Sequence, residues 1–152
     1  MLNFIKQPLG KVTGGNLIFK WQNQSISLLG VHLSAPLSYS RITKRKIQIE
    51  AIQNWILQQN LPTILIGDLN TTPWSNEFKV LTTHLKNSML GFGIQATWPF
   101  HNTFVSFLRI PLDHALHSND IKTLKRTVER SGNSNHKPLL LEFSVSYPHP
   151  EQ

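Results

Sequence analysis

The stretch Thr63-Ile-Leu-Ile-Gly-Asp-Leu-Asn70 is the most informative part of this chain for predicting its fold. Its first five residues form a short, mostly apolar run, which is typical of a strand buried on both faces of a sheet. Asp68 and Asn70 follow at once, where that strand would end. Loops that a rigid sheet holds at its strand ends are where functional sites are usually built. Taken alone, Gly67-Asp-Leu-Asn70 is better explained as an Asx-type turn that merely ends a strand.

Two strands and a helix are predicted on the N-terminal side of this stretch. Asn16–Trp21 and Ile26–Val31 read as strands separated by a polar turn, and the second strand ends at His32. From Arg41 to Gln59 the pattern is that of an amphipathic helix with one buried stripe, which stops before Pro62. The residues of that stripe are Ile42, Ile49, Ile52 and Ile56.

The C-terminal side predicts a second helix and then mainly strands. Pro73 and Ser75 open the helix, with Ser75 as its N-cap. Its inner face would carry Phe78, Leu81 and Leu85. The candidate strands that follow are Thr103–Leu108, Asp113–His117, Ile121–Val128 and Leu139–Val145. Strands that alternate with helices, followed by a mainly β half, predict an α/β or α+β layered fold in one domain over residues 1–152.

The composition limits the classes of function. The 152 residues carry 15 Lys and Arg against 8 Asp and Glu, a net charge of +7. Such a balance attracts nucleic acid, anionic lipid or phosphorylated substrates, although a functionally neutral basic surface fits it as well. The absence of cysteine excludes disulfides, zinc–thiolate sites and a cysteine nucleophile. Without a signal peptide or an apolar run of about 20 residues, we expect a cytoplasmic chain, or a membrane-associated one if a further segment precedes it.

Four polar motifs lie at strand ends, and their order is more informative than any one of them. They are His32, Gly67-Asp-Leu-Asn70, Ile110-Pro-Leu-Asp-His114 and Ser134-Asn-His-Lys-Pro138. In this order they resemble the endonuclease/exonuclease/phosphatase family, which includes deoxyribonuclease I-like nucleases and sphingomyelinases. The resemblance implies the C-terminal part of a four-layer α/β sandwich. Two further stretches look most like a bacterial subgroup of uncharacterised members: Asn70-Thr-Thr-Pro-Trp-Ser75 and Gly91-Phe-Gly-Ile-Gln-Ala-Thr-Trp-Pro99.

The resemblance also implies roles for five residues in hydrolysis of a phosphoester with Mg²⁺ or Mn²⁺. Asp68 would orient or activate the attacking water, and Asn70 would bind the phosphate or align the nucleophile. His136 would face the scissile phosphate while Asp113 accepts a hydrogen bond from its other ring nitrogen. His32 would be a second donor to the phosphate. These groups supply what phosphoester hydrolysis needs, namely a positioned water and positive charge around the phosphoryl oxygens.

Two departures from the family pattern concern the metal. The family's strand-terminal Asn and metal-binding Glu precede the strand that ends in His32, and neither has a counterpart here. The domain is therefore expected to be N-terminally truncated, with strands missing, unless the coding sequence continues upstream of Met1. Asn135 stands where the family has an Asp, and a neutral amide is a weaker metal ligand. The alternative hypothesis is a catalytically impaired remnant that binds nucleic acid, anionic lipid or other phosphate-rich partners, or that requires a partner chain or a second copy to complete its sheet.

Basic and aromatic residues outside the motifs add weaker predictions. Five of them are candidates for contact with nucleic acid or substrate: Arg41, Lys44, Arg45, Trp74 and Trp98. Trp21 and Trp55 fit strand and helix faces, so we expect both in the core. A second basic run is expected on an exposed edge strand, where lysine discourages aggregation. It comprises Lys122, Lys125, Arg126 and Arg130.

Overall fold

The computed structural model describes residues 3–5, 13–99, 109–130 and 132–146. These ranges contain eight strands and two helices. The strands are β1 (Asn3–Ile5), β2 (Thr13–Trp21), β3 (Gln24–His32), β4 (Thr63–Asp68), β5 (Lys86–Asn87), β6 (Asp113–His117), β7 (Ile121–Val128) and β8 (Leu139–Val145). The helices are α1 (Tyr39–Leu57) and α2 (Asn76–Leu81). The predicted strand Thr103–Leu108 lies outside the described residues.

Six strands form one sheet in the order β1-β2-β3-β4-β6-β5, and β7 pairs with β8 in a separate sheet. Strands β3 and β4 are parallel, because α1 carries the chain back between them. The other pairs in both sheets are antiparallel. This arrangement of layered sheets and helices confirms the predicted α/β fold.

The two faces of the central sheet bury different cores. Leu65 of β4 packs on the helix side, whereas Ile64 packs on the side of the two-stranded sheet. This alternation follows from the two-residue period of a strand, and it confirms that β4 is buried on both faces. The helix-side core is the larger of the two: Leu29, Val31, Leu33, Ile49, Ile52, Trp55, Ile56, Leu65, Leu69, Phe78, Leu81, Leu85 and Leu116.

Both helices begin at a serine cap. The side chain of Ser38 accepts a hydrogen bond from the backbone nitrogen of Arg41, and that of Ser75 accepts one from Phe78. The predicted N-cap at Ser75 is therefore confirmed. Helix α1 begins and ends two residues earlier than predicted, and Leu85 is buried although it lies beyond the end of α2. Within the described residues, neither helix combines the length and apolar composition needed to cross a membrane.

Two predictions of burial were wrong. Ile42 is 39% exposed, because the first turn of α1 extends past the core and packing begins at Arg45. Trp21 is 49% exposed, because it lies at the end of β2 beside the turn to β3. Its ring meets that of Phe143 at a centroid distance of 6.2 Å. Trp55, in contrast, is 3% exposed, as predicted for a core residue.

Candidate active site

The site begins where the parallel strands β3 and β4 end side by side. His32 and Asp68 are paired in register, and Nε2 of His32 lies 3.5 Å from Oδ2 of Asp68. Gly67 makes this approach possible: its φ is +141°, and a Cβ there would collide with the carbonyl oxygen of Val31. A side chain at position 67 would thus force the two strand ends apart.

Asn70 fixes the orientation of the Asp68 carboxylate. Its backbone N–H donates to Oδ1 of Asp68 at 2.8 Å, and its side-chain amide donates to Oδ2 at 3.0 Å. The same amide nitrogen donates to the carbonyl of Leu33 at 2.9 Å. An amide group has two N–H donors, and both are used here. In this structure the side chain of Asn70 therefore holds Asp68 and Leu33, whereas its two predicted roles, binding the phosphate or aligning the nucleophile, stay predictions.

Asp113 and His136 form the second half of the cluster. Asp113 pairs with Asp68 across β4 and β6, so that the two carboxylates lie at the same end of the sheet. Nδ1 of His136 lies 2.7 Å from Oδ2 of Asp113, and Nε2 of the same ring lies 4.0 Å from Oδ2 of Asp68. The fold thus brings together all five residues to which the resemblance gave catalytic roles: His32, Asp68, Asn70, Asp113 and His136.

The surroundings of Asp68 raise the pKa of its carboxyl group above the ordinary value. Burial raises the pKa of Asp68, and the nearby Asp113 raises it further. The N–H of Asn70 and the two histidines oppose this rise without cancelling it. A carboxylate with a raised pKa is a stronger base, which suits a group that takes a proton from water.

The donor atoms present fit a divalent cation in part. Asp68, Asp113 and His136 each offer one atom, and these atoms lie within 4.8 Å of one another. Carboxylate oxygens are the usual ligands of Mg²⁺ and Mn²⁺, whereas an imidazole nitrogen suits Mn²⁺ better than Mg²⁺. Nδ1 of His136 is already engaged by Asp113. Asn135 is exposed on the loop next to His136, and its role as a weak metal ligand stays a prediction.

Thr97 also belongs to the site, although the sequence motifs did not predict it. Its hydroxyl oxygen accepts hydrogen bonds from the backbone nitrogens of Leu112 and Asp113, both at 3.1 Å. Its own carbonyl accepts a hydrogen bond from the backbone nitrogen of Lys137 at 2.9 Å. Thr97 therefore joins the start of β6 to the loop that carries His136. The only sign in the sequence was its place beside Trp98 in a stretch already singled out.

Arg126 corrects the prediction of an exposed basic edge. It is 2% exposed, its Nη1 donates to the side-chain oxygen of Gln95, and its Nη2 lies 3.5 Å from the carbonyl oxygen of Asp113. The cause is an irregularity in β7 between Thr123 and Lys125, which shifts the alternation and turns Arg126 inward. Burial lowers the pKa of Arg126 to about 10, although Asp113 acts in the opposite direction.

His114, the neighbour of Asp113, supports the site from beneath. It is 1% exposed, its Nε2 donates to the carbonyl of Thr71 at 2.8 Å, and its ring centroid lies 4.6 Å from that of Phe78. Burial is the main cause that lowers the pKa of His114 to about 4. The ring is therefore neutral at pH 7 and ties the loop after β4 to β6.

The five predicted contact residues differ in exposure. Arg41 and Lys44 are exposed at the start of α1, Trp74 is 56% exposed, and Trp98 is half-buried. Arg45, by contrast, is 3% exposed and does not share the exposed face of Arg41 and Lys44. Its Nη1 donates to the carbonyls of Ser34 and Leu69, at 3.1 and 2.9 Å. Arg45 therefore joins the loops that follow β3 and β4, and burial lowers its pKa.

Solved structures share this fold. An endonuclease/exonuclease/phosphatase from Beutenbergia cavernae superposes with a TM-score of 0.71 at 14% identity, covering 96% of this chain and 45% of that one. The Bacteroides thetaiotaomicron mannosyl-6-phosphatase Bt3783 has a TM-score of 0.64 at 18% identity, covering 88% of this chain and 57% of that one. D. rerio TDP2 complexed with single strand DNA product has a TM-score of 0.70 at 16% identity, covering 95% of this chain and 67% of that one. The chain thus spans about half the length of the first two structures.

The sequence itself supplies the assignment to a family. No curated protein matches it. The model of the Endonuclease/Exonuclease/phosphatase family matches residues 3–136, which is most of the chain and includes all five residues of the cluster. The order of motifs, the layered fold and this match agree, and the chain belongs to the endonuclease/exonuclease/phosphatase family.

Proposed function

We propose that residues 1–152 form one domain that hydrolyses phosphoesters with the help of Mg²⁺ or Mn²⁺. The observation that carries the proposal is the arrangement around Asp68. One oriented carboxylate lies between two histidines, and the second histidine is hydrogen-bonded to Asp113. A base, a second carboxylate and two groups able to donate to oxygen are the components that in-line attack of water on phosphorus requires.

In the proposed reaction, Asp68 takes a proton from a water molecule whose oxygen forms a bond to phosphorus. The bond from phosphorus to the ester oxygen breaks, and the leaving oxygen takes a proton from solvent. Asn70 keeps Asp68 in place during this step. His32 and His136 donate to the phosphoryl oxygens from either side of Asp68, and Asp113 sets the orientation of the His136 ring.

The divalent ion would bind at the carboxylates of Asp68 and Asp113, with Asn135 as a weaker candidate ligand. Once bound, it supplies positive charge to the phosphoryl oxygens. Mn²⁺ is the better first choice for a test, because His136 is part of the same group of donors.

Phosphodiesters and phosphomonoesters are both candidate substrates. Of the similar solved structures, D. rerio TDP2 is complexed with a single-stranded DNA product. The B. thetaiotaomicron structure is named as a mannosyl-6-phosphatase. A net charge of +7 favours an anionic substrate or partner, such as nucleic acid or anionic lipid. Exposed Arg41 and Lys44 would meet such a polyanion near the site.

The proposal is tested by hydrolysis of bis(p-nitrophenyl) phosphate, p-nitrophenyl phosphate and nicked plasmid, each with Mg²⁺, with Mn²⁺ and with EDTA. We expect turnover that needs the metal and that falls at least 100-fold in His136→Ala. His84→Ala is the matched control, because His84 is exposed and lies next to Leu85 at the opposite end of the central sheet.

Equal background rates for the wild type and His136→Ala would overturn the proposed hydrolysis. If DNA or anionic vesicles were then still bound in a salt-sensitive way, the alternative of a non-catalytic binding protein would replace it. Sedimentation of the same samples separates a monomer from an assembly with a second copy.

A further inference from the structure

A cavity of about 460 Å³ opens directly beside the cluster and shares two residues with it. Asn70 and His136 are among its polar lining residues. An apolar part of the lining is formed by Trp98, Ile110 and Leu112. A ligand whose phosphate lies at His136 would therefore direct the rest of its atoms into this cavity.

The apolar wall is held rigidly to the catalytic residues. The backbones of Trp98 and Ile110 are joined by two hydrogen bonds, of 3.0 and 2.7 Å. Leu112 immediately precedes Asp113, and Thr97 binds the backbone nitrogens of both. A wall fixed in this way is formed before the ligand arrives, so that little conformational entropy is lost on binding.

The charges around the cavity restrict what can enter it. Within the described part of the chain, three of its lining residues have ionisable side chains: Arg45, Glu77 and His136. Arg45 uses Nη1 to bind two backbone carbonyls, whereas Glu77 is partly exposed. Glu77 lies close enough to Arg45 to raise the pKa of its guanidinium, so the two charges offset each other and the cavity offers no net positive charge to a second anionic group. Leu37, which is 78% exposed, adds a further apolar side chain to the lining.

We infer that this cavity binds the organic group of the phosphate ester, and that this group is flat, apolar and uncharged. Aromatic rings fit the description, whether they belong to a nucleobase or to an aryl alcohol, because both can stack on Trp98. Sugar bisphosphates and other substrates with a second phosphate do not. The inference rests on the proposed function, because it takes the position of the phosphate from it.

Binding of phosphonates tests the inference without turnover, because their P–C bond is not hydrolysed. Calorimetry on the full chain with Mn²⁺ compares methylphosphonate, phenylphosphonate and 4-carboxyphenylphosphonate. We expect phenylphosphonate to bind about tenfold more tightly than methylphosphonate, which corresponds to about 1.4 kcal/mol. The added carboxylate should remove most of this gain, and Glu77→Gln should restore it.

Variants assign the gain to the cavity. Leu112→Ala and Trp98→Ala should each bring the ratio of the two dissociation constants below about threefold. Leu37→Ser, at an exposed position, should lower the ratio about twofold even if the other two variants fold poorly. Leu124→Ala, on the outer face of β7, is the control and should leave the ratio unchanged.

Two results would overturn the inference, and only one of them would also overturn the proposed phosphate site. Equal affinities for methylphosphonate and phenylphosphonate would leave the phosphate site in place and remove the aromatic subsite. If neither compound bound, the proposed phosphate site would be wrong, and the subsite with it.

Discussion

Asn70 binds both carboxylate oxygens of Asp68, one through its backbone N–H at 2.8 Å and the other through its side-chain amide at 3.0 Å. The backbone of Asn70 is in the left-handed region, with φ of 47°, which asparagine tolerates better than most residues. The conformation of the loop and the orientation of the carboxylate thus depend on the same residue. A substitution that keeps the backbone conformation and removes the side chain can therefore distinguish the role of the amide from that of the backbone N–H.

Asn70→Gly should lower kcat about 10- to 100-fold with little change in melting temperature. Glycine keeps the left-handed backbone and the N–H bond to Oδ1, and it removes the side-chain amide with its bonds to Oδ2 and to the carbonyl of Leu33. Steady-state kinetics and thermal unfolding check this. Gln22→Gly is the control, since Gln22 also has positive φ, at 53°, in the remote turn between β2 and β3. A fall in activity no larger than that of the control would contradict the role of the amide.

Asp113→Asn should lower kcat about 100- to 10,000-fold, because an amide in place of the carboxylate no longer fixes the ring of His136 in the required tautomer. The KM for substrate should change much less than kcat. Asp120→Asn, at an exposed turn, provides the comparison. Retention of more than a tenth of the wild-type kcat would show that the pair is structural.

Thr97→Val should lower kcat about tenfold or more and destabilise the chain by about 1–3 kcal/mol. The hydroxyl oxygen accepts two backbone hydrogen bonds, and valine leaves both N–H groups buried without their acceptor. Thr97→Ser keeps the oxygen and should remain within about threefold of the wild-type kcat. Thr43→Val, on the exposed face of α1, measures the same change of side chain where burial is absent. If serine failed to rescue kcat, the methyl group and not the hydroxyl would be the important part of Thr97.

Stability should fall as the pH is lowered from about 6.5 to about 4, in part because of His114. Its pKa is lowered to about 4 in the folded chain, so the unfolded chain binds a proton more readily in this interval. The contribution of His114 is complete above the unfolded pKa and is lost as the pH falls toward the folded pKa. A difference of about 2.5 pH units corresponds to roughly 3 kcal/mol.

Urea unfolding of the wild type and His114→Gln at pH 7 and pH 4.5 isolates this effect, since Asp68 and other groups titrate equally in both proteins. The difference in unfolding free energy between the two pH values should be smaller in the variant. The same pH dependence in both would show that His114 is not the responsible group.

Gly67→Ala should destabilise the chain by more than about 3 kcal/mol or prevent it from folding, because its Cβ would meet the backbone of Val31 at a φ of +141°. Gly132→Ala offers the matched comparison, since a Cβ there has no neighbour within 4 Å. Circular dichroism and thermal unfolding of both variants check the contrast. Equal stability of the two would mean that β3 and β4 can separate at little cost.

Local signals explain which parts of the fold could be predicted from the sequence. The apolar run of β4 and the serine cap of α2 depend only on residues close in sequence, so the local sequence pattern was sufficient to predict both. The inward turn of Arg126 depends on an irregularity in β7, to which no turn residue in the sequence points. Thr97 acts on backbone atoms 15 and 16 positions away, and such contacts exist only after folding. The motifs predicted the five residues of the cluster. Residues that position them, such as Thr97, could be identified only from the structure.

His136 precedes β8 in the two-stranded sheet, whereas Asp68 and Asp113 lie on the central sheet. The two sheets meet through a small core centred on Ile26, Ile64 and Ile121. During refolding, β3 and β4 can pair and still leave His136 far from its partners. Recovery of phosphonate binding should therefore lag behind the recovery of helical and strand signals in stopped-flow experiments. Formation of the 2.7 Å contact of His136 with Asp113 would then report that the two sheets have docked.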